Sequence, residues 1–207
     1  MAVSRYPYFS RAGWAPLLGV VAFALLVGKT LGWGWTLPLW LACALIVYLY
    51  RDPYREIPSS PLAVVSPADG VVRAVEEVSD PYLARDAVRL EIQMSHAGVY
   101  STRSPVEGKI LEPRNPGNGD QPYGVWLKTD EDDDLVVVMH RGPLHNLPRC
   151  FVQVGERVGQ GQRCGYIQMG GRVELYLPRH SRIEVSSGSH VKAGSDVIAT
   201  LVHKQTA

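Results

Sequence analysis

Histidine is the side chain whose ordinary pKa lies nearest neutrality, and the chain has six: His96, His140, His145, His180, His190 and His203. His96, His140 and His145 could gather as an acid/base group, or as three zinc ligands with a fourth position open for water. Isolated surface or strand-end histidines are the competing reading. Asp69 stands in SPADG, where its carboxylate can close an Asx turn before Gly70. Cys164, in RCGYI, reads as a small core residue rather than a nucleophile. Gly188-Ser189 and Gly194-Ser195 read as hairpin turns. The acidic run Thr129 to Asp134 lacks the glycine and the distant glutamate of a calcium loop and reads as a solvated turn. No metal site is expected.

The elements that position these residues follow from composition. Of 207 residues, 21 are Lys or Arg and 20 are Asp or Glu, a net charge of +1. That balance excludes a strongly basic nucleic-acid binder. Twenty Gly and 15 Pro in a chain that is 46% hydrophobic point to many turns between short strands. Three cysteines without regular spacing exclude a disulfide framework.

From Trp14 to Tyr50 the only charge is Lys29. The run is too long for the apolar region of a signal peptide. A spanning helix needs roughly 20 apolar residues. Leu31 to Tyr50 meets that by itself, whereas Trp14 to Gly28 is short. One span and a hairpin of two both fit. Arg5 and Arg11 flank one end and Arg51 and Arg55 the other, which favours both ends in the cytoplasm and hence a hairpin in the inner membrane. Residues 1–51 are thus read as the anchor, 52–65 as a proline-rich linker and 66–207 as a cytoplasmic β domain.

In that domain GVVRAVEEV, AVRLEIQM, GVYS, GKILEP, GVWLKT, DLVVVMH, CFVQVGERV, RCGYIQM, RVELYLP, RIEVSS and DVIATLV read as strands. Two echoes run through it. SPADGVVRAV (Ser66 to Val75) matches SPVEGKILEP (Ser104 to Pro113), and VQVGERVGQGQRCGYI (Val152 to Ile167) matches VSSGSHVKAGSDVIATL (Val185 to Leu201). Repeated half-units pair into a two-fold sandwich. The pattern resembles the barrel-sandwich hybrid, a mainly β fold shared by lipoyl and biotinyl carriers, lysostaphin-like zinc endopeptidases and phosphatidylserine decarboxylases. A carrier would need a lysine in a set hairpin pattern, which Lys192 in VKAG lacks. The endopeptidases carry His-x-His where this chain has Arg172 to Leu177 without histidine.

Arg51-Asp52-Pro53 after the apolar segment, SPADG at Ser66 to Gly70, RVELYLP at Arg172 to Pro178 and the final VKAGSDVIATL together resemble the short, membrane-attached phosphatidylserine decarboxylase proenzymes. The resemblance runs from about Pro16 to Val202. It implies a lyase of phospholipid synthesis that cuts itself at a Gly-Ser bond. The serine becomes an N-terminal pyruvoyl group, the electron sink for decarboxylation.

Several residues of that chemistry are replaced. Gly170-Gly171 stands at the cleavage position, and Gly171 has no Cβ from which a pyruvoyl group could be made. Met94 to Arg103 resembles the family's Met-Ser-x-x-Asp-Val-His-Val-Asn-Arg, with Gly98 for the Asp and Tyr100 for the His. Tyrosine, titrating near 10, is a poor substitute. Gln121 to Gly124 replaces an Asn-Glu-Arg-Asn loop, and His145-Asn146-Leu147 stands where the family's Ala-Arg-Arg would supply two arginines suited to a lipid phosphate. Asp69 remains, with the implied role of orienting the histidine. His96, Tyr100, Arg103, His140 and His145 are left as candidates to meet a headgroup or move a proton. The expectation is therefore a family member without the pyruvoyl cofactor. It would bind membrane phospholipid or scaffold another lipid-synthesis enzyme, and would not bind nucleic acid. The alternatives are an active decarboxylase using a displaced site and, more remotely, a zinc hydrolase.

Overall fold

The computed structural model describes residues 8–10, 13–58, 60, 62–96, 98–114, 122, 124–143 and 146–202. The chain divides into two compact units, Met1–Tyr54 and Arg55–Ala207.

The first unit is a helical hairpin. Helix α1 (Trp14–Leu31) has 18 residues, about 27 Å at the usual rise, and is long and apolar enough to cross a membrane. Helix α2 (Leu37–Leu49) has 13 residues, about 20 Å, and is too short to do so at full thickness. This reverses the expectation that the second stretch is the longer. Gly32 leaves α1 at φ +95°, the tight turn Trp33–Thr36 consumes the next residues, and Pro38 opens α2. The two ends of the hairpin are tied together. The N–H of Ser10 donates to the Tyr50 carbonyl at 3.0 Å, and the N–H of Asp52 to that of Tyr8 at 2.6 Å.

The second unit is mainly β. Strands β1 (Ala63–Val65), β2 (Gly70–Asp80), β3 (Arg85–Met94), β4 (Ser101–Arg103), β5 (Gly108–Arg114), β6 (Gly124–Lys128) and β7 (Asp134–Met139) come first. Then follow β8 (Arg149–Cys150), β9 (Arg157–Val158), β10 (Arg163–Tyr166), β11 (Arg172–Pro178), β12 (Arg182–Ile183), β13 (His190–Val191) and β14 (Val197–Thr200). Among the described residues they form an eight-stranded sheet, β13-β2-β3-β11-β7-β6-β5-β9, and two three-stranded sheets, β1-β14-β12 and β4-β10-β8. The β1 strand, buried throughout, falls inside the stretch read as linker. Alternation builds one core: Val173, Leu175 and Leu177 of β11 pack with Leu90 and Ile92 of β3 and Leu135 and Val137 of β7.

The sequence echoes are structural. Gly70 of β2 pairs with Val191 of β13, and Gly108 of β5 pairs with Val158 of β9. Ser66 Oγ donates to the Ala68 carbonyl at 2.7 Å, and Ser104 Oγ to that of Val106 at 2.8 Å. The N–H of Gly194 reaches the Ser66 carbonyl and the N–H of Gly161 that of Ser104, both at 2.8 Å. Gly161 and Gly194 hold the same left-handed turn, at φ +70° and +74°. These hairpins, in a mainly β domain after an apolar hairpin, are the pseudo-repeats of a barrel-sandwich-like fold.

Candidate functional site

Asp69 closes no Asx turn. Its Oδ2 meets Arg55 Nη2 at 2.7 Å, and its Oδ1 accepts the Ala193 N–H at 2.6 Å. The carboxylate pins the chain entering the domain to the Lys192–Gly194 hairpin. A Cβ at Gly98 would stand 3.9 Å from that of Asp69, so position 98 faces this pair.

Tyr100 is buried, edge-on to Tyr166 at 6.1 Å, and its hydroxyl donates to the His96 carbonyl at 2.5 Å. The exposed His96 ring is held at Nδ1, 3.0 Å from the Met169 carbonyl. Arg103 is 3% exposed and donates to the Gly161 carbonyl at 3.2 Å. It braces the repeat hairpins and is not among the residues lining the cleft described below, which corrects its reading as a headgroup residue. His145 lies outside the described residues. Cys164 is buried and its thiol is pushed up to about 12, chiefly by desolvation, as a core residue's would be.

Gly170 and Gly171 end the turn between β10 and β11. Gly171 lends its carbonyl to the Met94 N–H at 2.8 Å. A Cβ there would meet Ile167 Cγ2 at 2.8 Å, and Ile167 is fully buried. Gly142 lies against the same turn: a Cβ on it would come within 2.7 Å of the Gly170 carbonyl. The turn is therefore packed closely around a residue without a side chain.

Gly171 also lines an open cleft of about 1190 Å³, bounded by apolar residues such as Ile110, Val125 and Val152 and by His140, Arg141 and Arg172. The cationic end is ordered by a buried acid. Arg172, Glu174 and Tyr176 follow one another along one face of β11. Glu174 is 5% exposed; its Oε2 accepts the Tyr176 hydroxyl at 2.9 Å, and its Oε1 lies 3.4 Å from Arg172 Nε. His140 Nε2 stands 3.0 Å from the same Oε1, off the N–H axis, while its Nδ1 lies 3.1 Å from Arg172 Nη2. A guanidinium only donates, so Nδ1 accepts and the ring proton sits on Nε2 beside Glu174.

Burial raises the Glu174 carboxyl, but His140, the Tyr176 hydroxyl and Arg172 outweigh it and hold the group below the usual carboxylate range. The same charge, with burial, pushes the Tyr176 hydroxyl well up. Sequence reading singled out His140 but missed Glu174 and Arg172. The available signal was a lone acid in the middle of RVELYLP, a strand flanked on both sides by β3 and β7. Among the described residues no three His, Cys, Asp or Glu side chains are grouped to hold a metal.

A mainly β domain with twin hairpins behind an apolar helical hairpin defines the class. The sequence pattern of the phosphatidylserine decarboxylase family matches residues 43–119 and 125–199. The phosphatidylserine decarboxylase proenzyme of Nitrosomonas eutropha is 38% identical over 96% of this chain and 99% of its own. That of Nitrosomonas europaea is 37% identical over 94% and 95%, and that of Aromatoleum aromaticum 36% over 95% and 97%. The chain belongs to the phosphatidylserine decarboxylase family. The glucose permease IIA structure from Mycoplasma capricolum overlaps 67% of this chain and 94% of its own at a TM-score of 0.46 and 18% identity.

Proposed function

We propose that the protein is an inner-membrane member of its family that forms no pyruvoyl group and holds a phospholipid headgroup in the cleft beside Gly171. The observation that carries this reading is Gly171 itself. It has no Cβ to become the pyruvoyl methyl, and the space a Cβ would take is filled by Ile167. Two further features support it. The ring nitrogen of His140 that would take a proton is occupied by Arg172. Asp69, the implied partner of a catalytic histidine, is engaged by Arg55 and Ala193 instead.

The cleft suits the anionic part of a headgroup. Arg141 and Arg172, which line the cleft, offer guanidiniums for a phosphate or carboxylate, and the buried Glu174 behind them sets the position of Arg172. Glu174 and His140 hold Arg172 in place, so little ordering is needed on binding. The arginines flanking the hairpin support a β domain on the cytoplasmic side.

The test is the intact mass of the purified chain under denaturing conditions, followed by titration with short-chain phosphatidylserine. A single 22.8 kDa species that binds the lipid and releases no carbon dioxide is expected. Two chains, the smaller beginning with a blocked carbonyl, would establish an active decarboxylase like the named relatives and overturn the proposal.

A further inference from the structure

Residues 147–154 run along the cleft; Val152 packs against the core, but three of the segment's apolar side chains are turned to solvent. Leu147 is 66% exposed, Phe151 56% and Val154 61%. The segment is held at its middle: β8 pairs with β10, and the Phe151 N–H donates to the Cys164 carbonyl at 2.9 Å. Leu147, Cys150 and Val154 also line the cleft, so its mouth opens within this patch. A cluster of large exposed apolar side chains marks a surface that meets a partner.

The surrounding charge says which partner. From Arg141 to Gly155 the sequence carries Arg141, Arg149 and His145 and no Asp or Glu. Both arginines are exposed, and among the described residues neither forms an ion pair. A second copy of the chain would bring these cations against each other, an arrangement that costs affinity. An anionic membrane complements them, each basic residue near such a surface adding to the attraction. The chain also supplies the proximity. Thirteen residues, Tyr50 to Leu62, separate the end of the helical hairpin from β1, a reach of roughly 40 Å when fully extended. Attachment through α1 therefore keeps a bilayer near the β domain, which raises the effective concentration of lipid at its surface.

We propose that Leu147, Phe151 and Val154, flanked by Arg141 and Arg149, are a bilayer-docking face that sets the cleft mouth at the depth of anionic lipid headgroups. The inference rests on the membrane-attached reading of the chain. It adds that the β domain itself touches the lipid, so that a headgroup enters the cleft without its acyl chains leaving the bilayer.

The test uses the full chain with Cys43→Ala, reconstituted in vesicles containing phosphatidylglycerol, with a fluorophore on Cys150. Cys150 is exposed, whereas Cys164 is buried. Lipids brominated near the headgroup end of the acyl chain are expected to quench the label at least threefold more than bromines near the chain ends. A Leu147→Ser, Phe151→Ser, Val154→Ser triple variant should lose that quenching. These positions are exposed, so folding is checked by an unchanged thermal transition. In Arg141→Gln, Arg149→Gln the quenching should no longer depend on anionic lipid. Flotation of the vesicles reports membrane attachment separately. A chain that floats with its label unquenched overturns docking while leaving attachment standing, and a chain that does not float overturns both. Quenching that needs no bromolipid but rises with the number of chains per vesicle would assign the face to a second copy and also overturn the proposal.

Discussion

Gly171→Ser restores the residue that the family resemblance places at the cleavage bond, and on the reading proposed above it does not restore cleavage. The new Cβ would lie 2.8 Å from Ile167 Cγ2, well inside the roughly 3.5–4.0 Å at which carbon pairs attract. Ile167 cannot easily retreat. It is fully buried, its N–H is bonded to the Tyr100 carbonyl at 2.9 Å, and its carbonyl accepts the Gly170 N–H at 3.1 Å. Overpacking of this kind costs about 1–3 kcal/mol, which for a domain of this size lowers Tm by roughly 2–12 °C.

The hydroxyl gains no base. The His140 carbonyl lies 3.3 Å from the new Cβ, and it can accept a hydrogen bond but not a proton, while the imidazole is committed to Arg172 and Glu174. The assay pairs a thermal melt with intact mass after prolonged incubation, using Gly171→Ala as the steric control. Equal destabilisation of the two variants, with a single uncleaved chain in each, is expected. Two chains from Gly171→Ser, divided after Gly170 with a carbonyl-blocked smaller piece, would refute the reasoning. They would show that the residues around the turn still support acyl shift and elimination.

Three more outcomes follow from the same geometry. Glu174→Gln should lower stability at neutral pH by about 1–3 kcal/mol, because charge-assisted partners are left around a neutral amide. The folded-state pKa of Glu174 lies below its unfolded value, so its contribution is present above the unfolded pKa near 4.3 and is lost as pH falls through the folded pKa. Denaturant midpoints measured from pH 6 to 3 should therefore decline less in Glu174→Gln than in the parent chain. Asp69→Asn keeps an acceptor for the Ala193 N–H but loses the Arg55 ion pair, whereas Asp69→Ala loses both; costs of about 1 and about 2–3 kcal/mol by chemical denaturation are expected. Equal costs would show that the ion pair alone matters. Gly142→Ala brings a Cβ against the Gly170 and Gln168 carbonyls, at 2.7 and 2.8 Å, and should destabilise by about 1–3 kcal/mol by the same measurement.

The long strands were legible because each buries one face on the core and so alternates: β3, β7 and β11 coincide closely with AVRLEIQM, DLVVVMH and RVELYLP. The repeat was legible because a tight turn imposes glycine at a fixed place, and the matched glycines 161 and 194 do hold the same positive φ. The two-residue strands were legible only in outline: β9 and β12 lie inside the longer runs CFVQVGERV and RIEVSS, and β13 was not read at all, since so short a pairing is decided by neighbouring strands rather than by its own sequence. The helix lengths came out reversed because periodicity is silent in a run that is apolar all round, and the break was set by Gly32 and the turn after it. The contacts of Asp69 were not legible in the sequence. Arg55 is 14 residues away and Ala193 is 124, and only the folded hairpins bring them together.

The remaining mismatch lies in where ionised groups gather. The family resemblance directs attention to Asp69, Gly98 and Tyr100, yet Tyr100 is a buried hydrogen-bonded ring and Asp69 is a structural clasp. The buried acid that shapes the cleft is Glu174, on the central strand that also begins at the cleavage position. A carboxylate at that depth is tolerated only with partners, and it has three in His140, Arg172 and Tyr176. Two of those partners line the cleft, so the need to satisfy one buried charge is also what fixes the cationic wall beside Gly171. On the proposed reading, replacing Arg172 with Ala should abolish headgroup binding while the fold survives. Replacing Glu174 should weaken both, because that residue holds the wall in place from beneath.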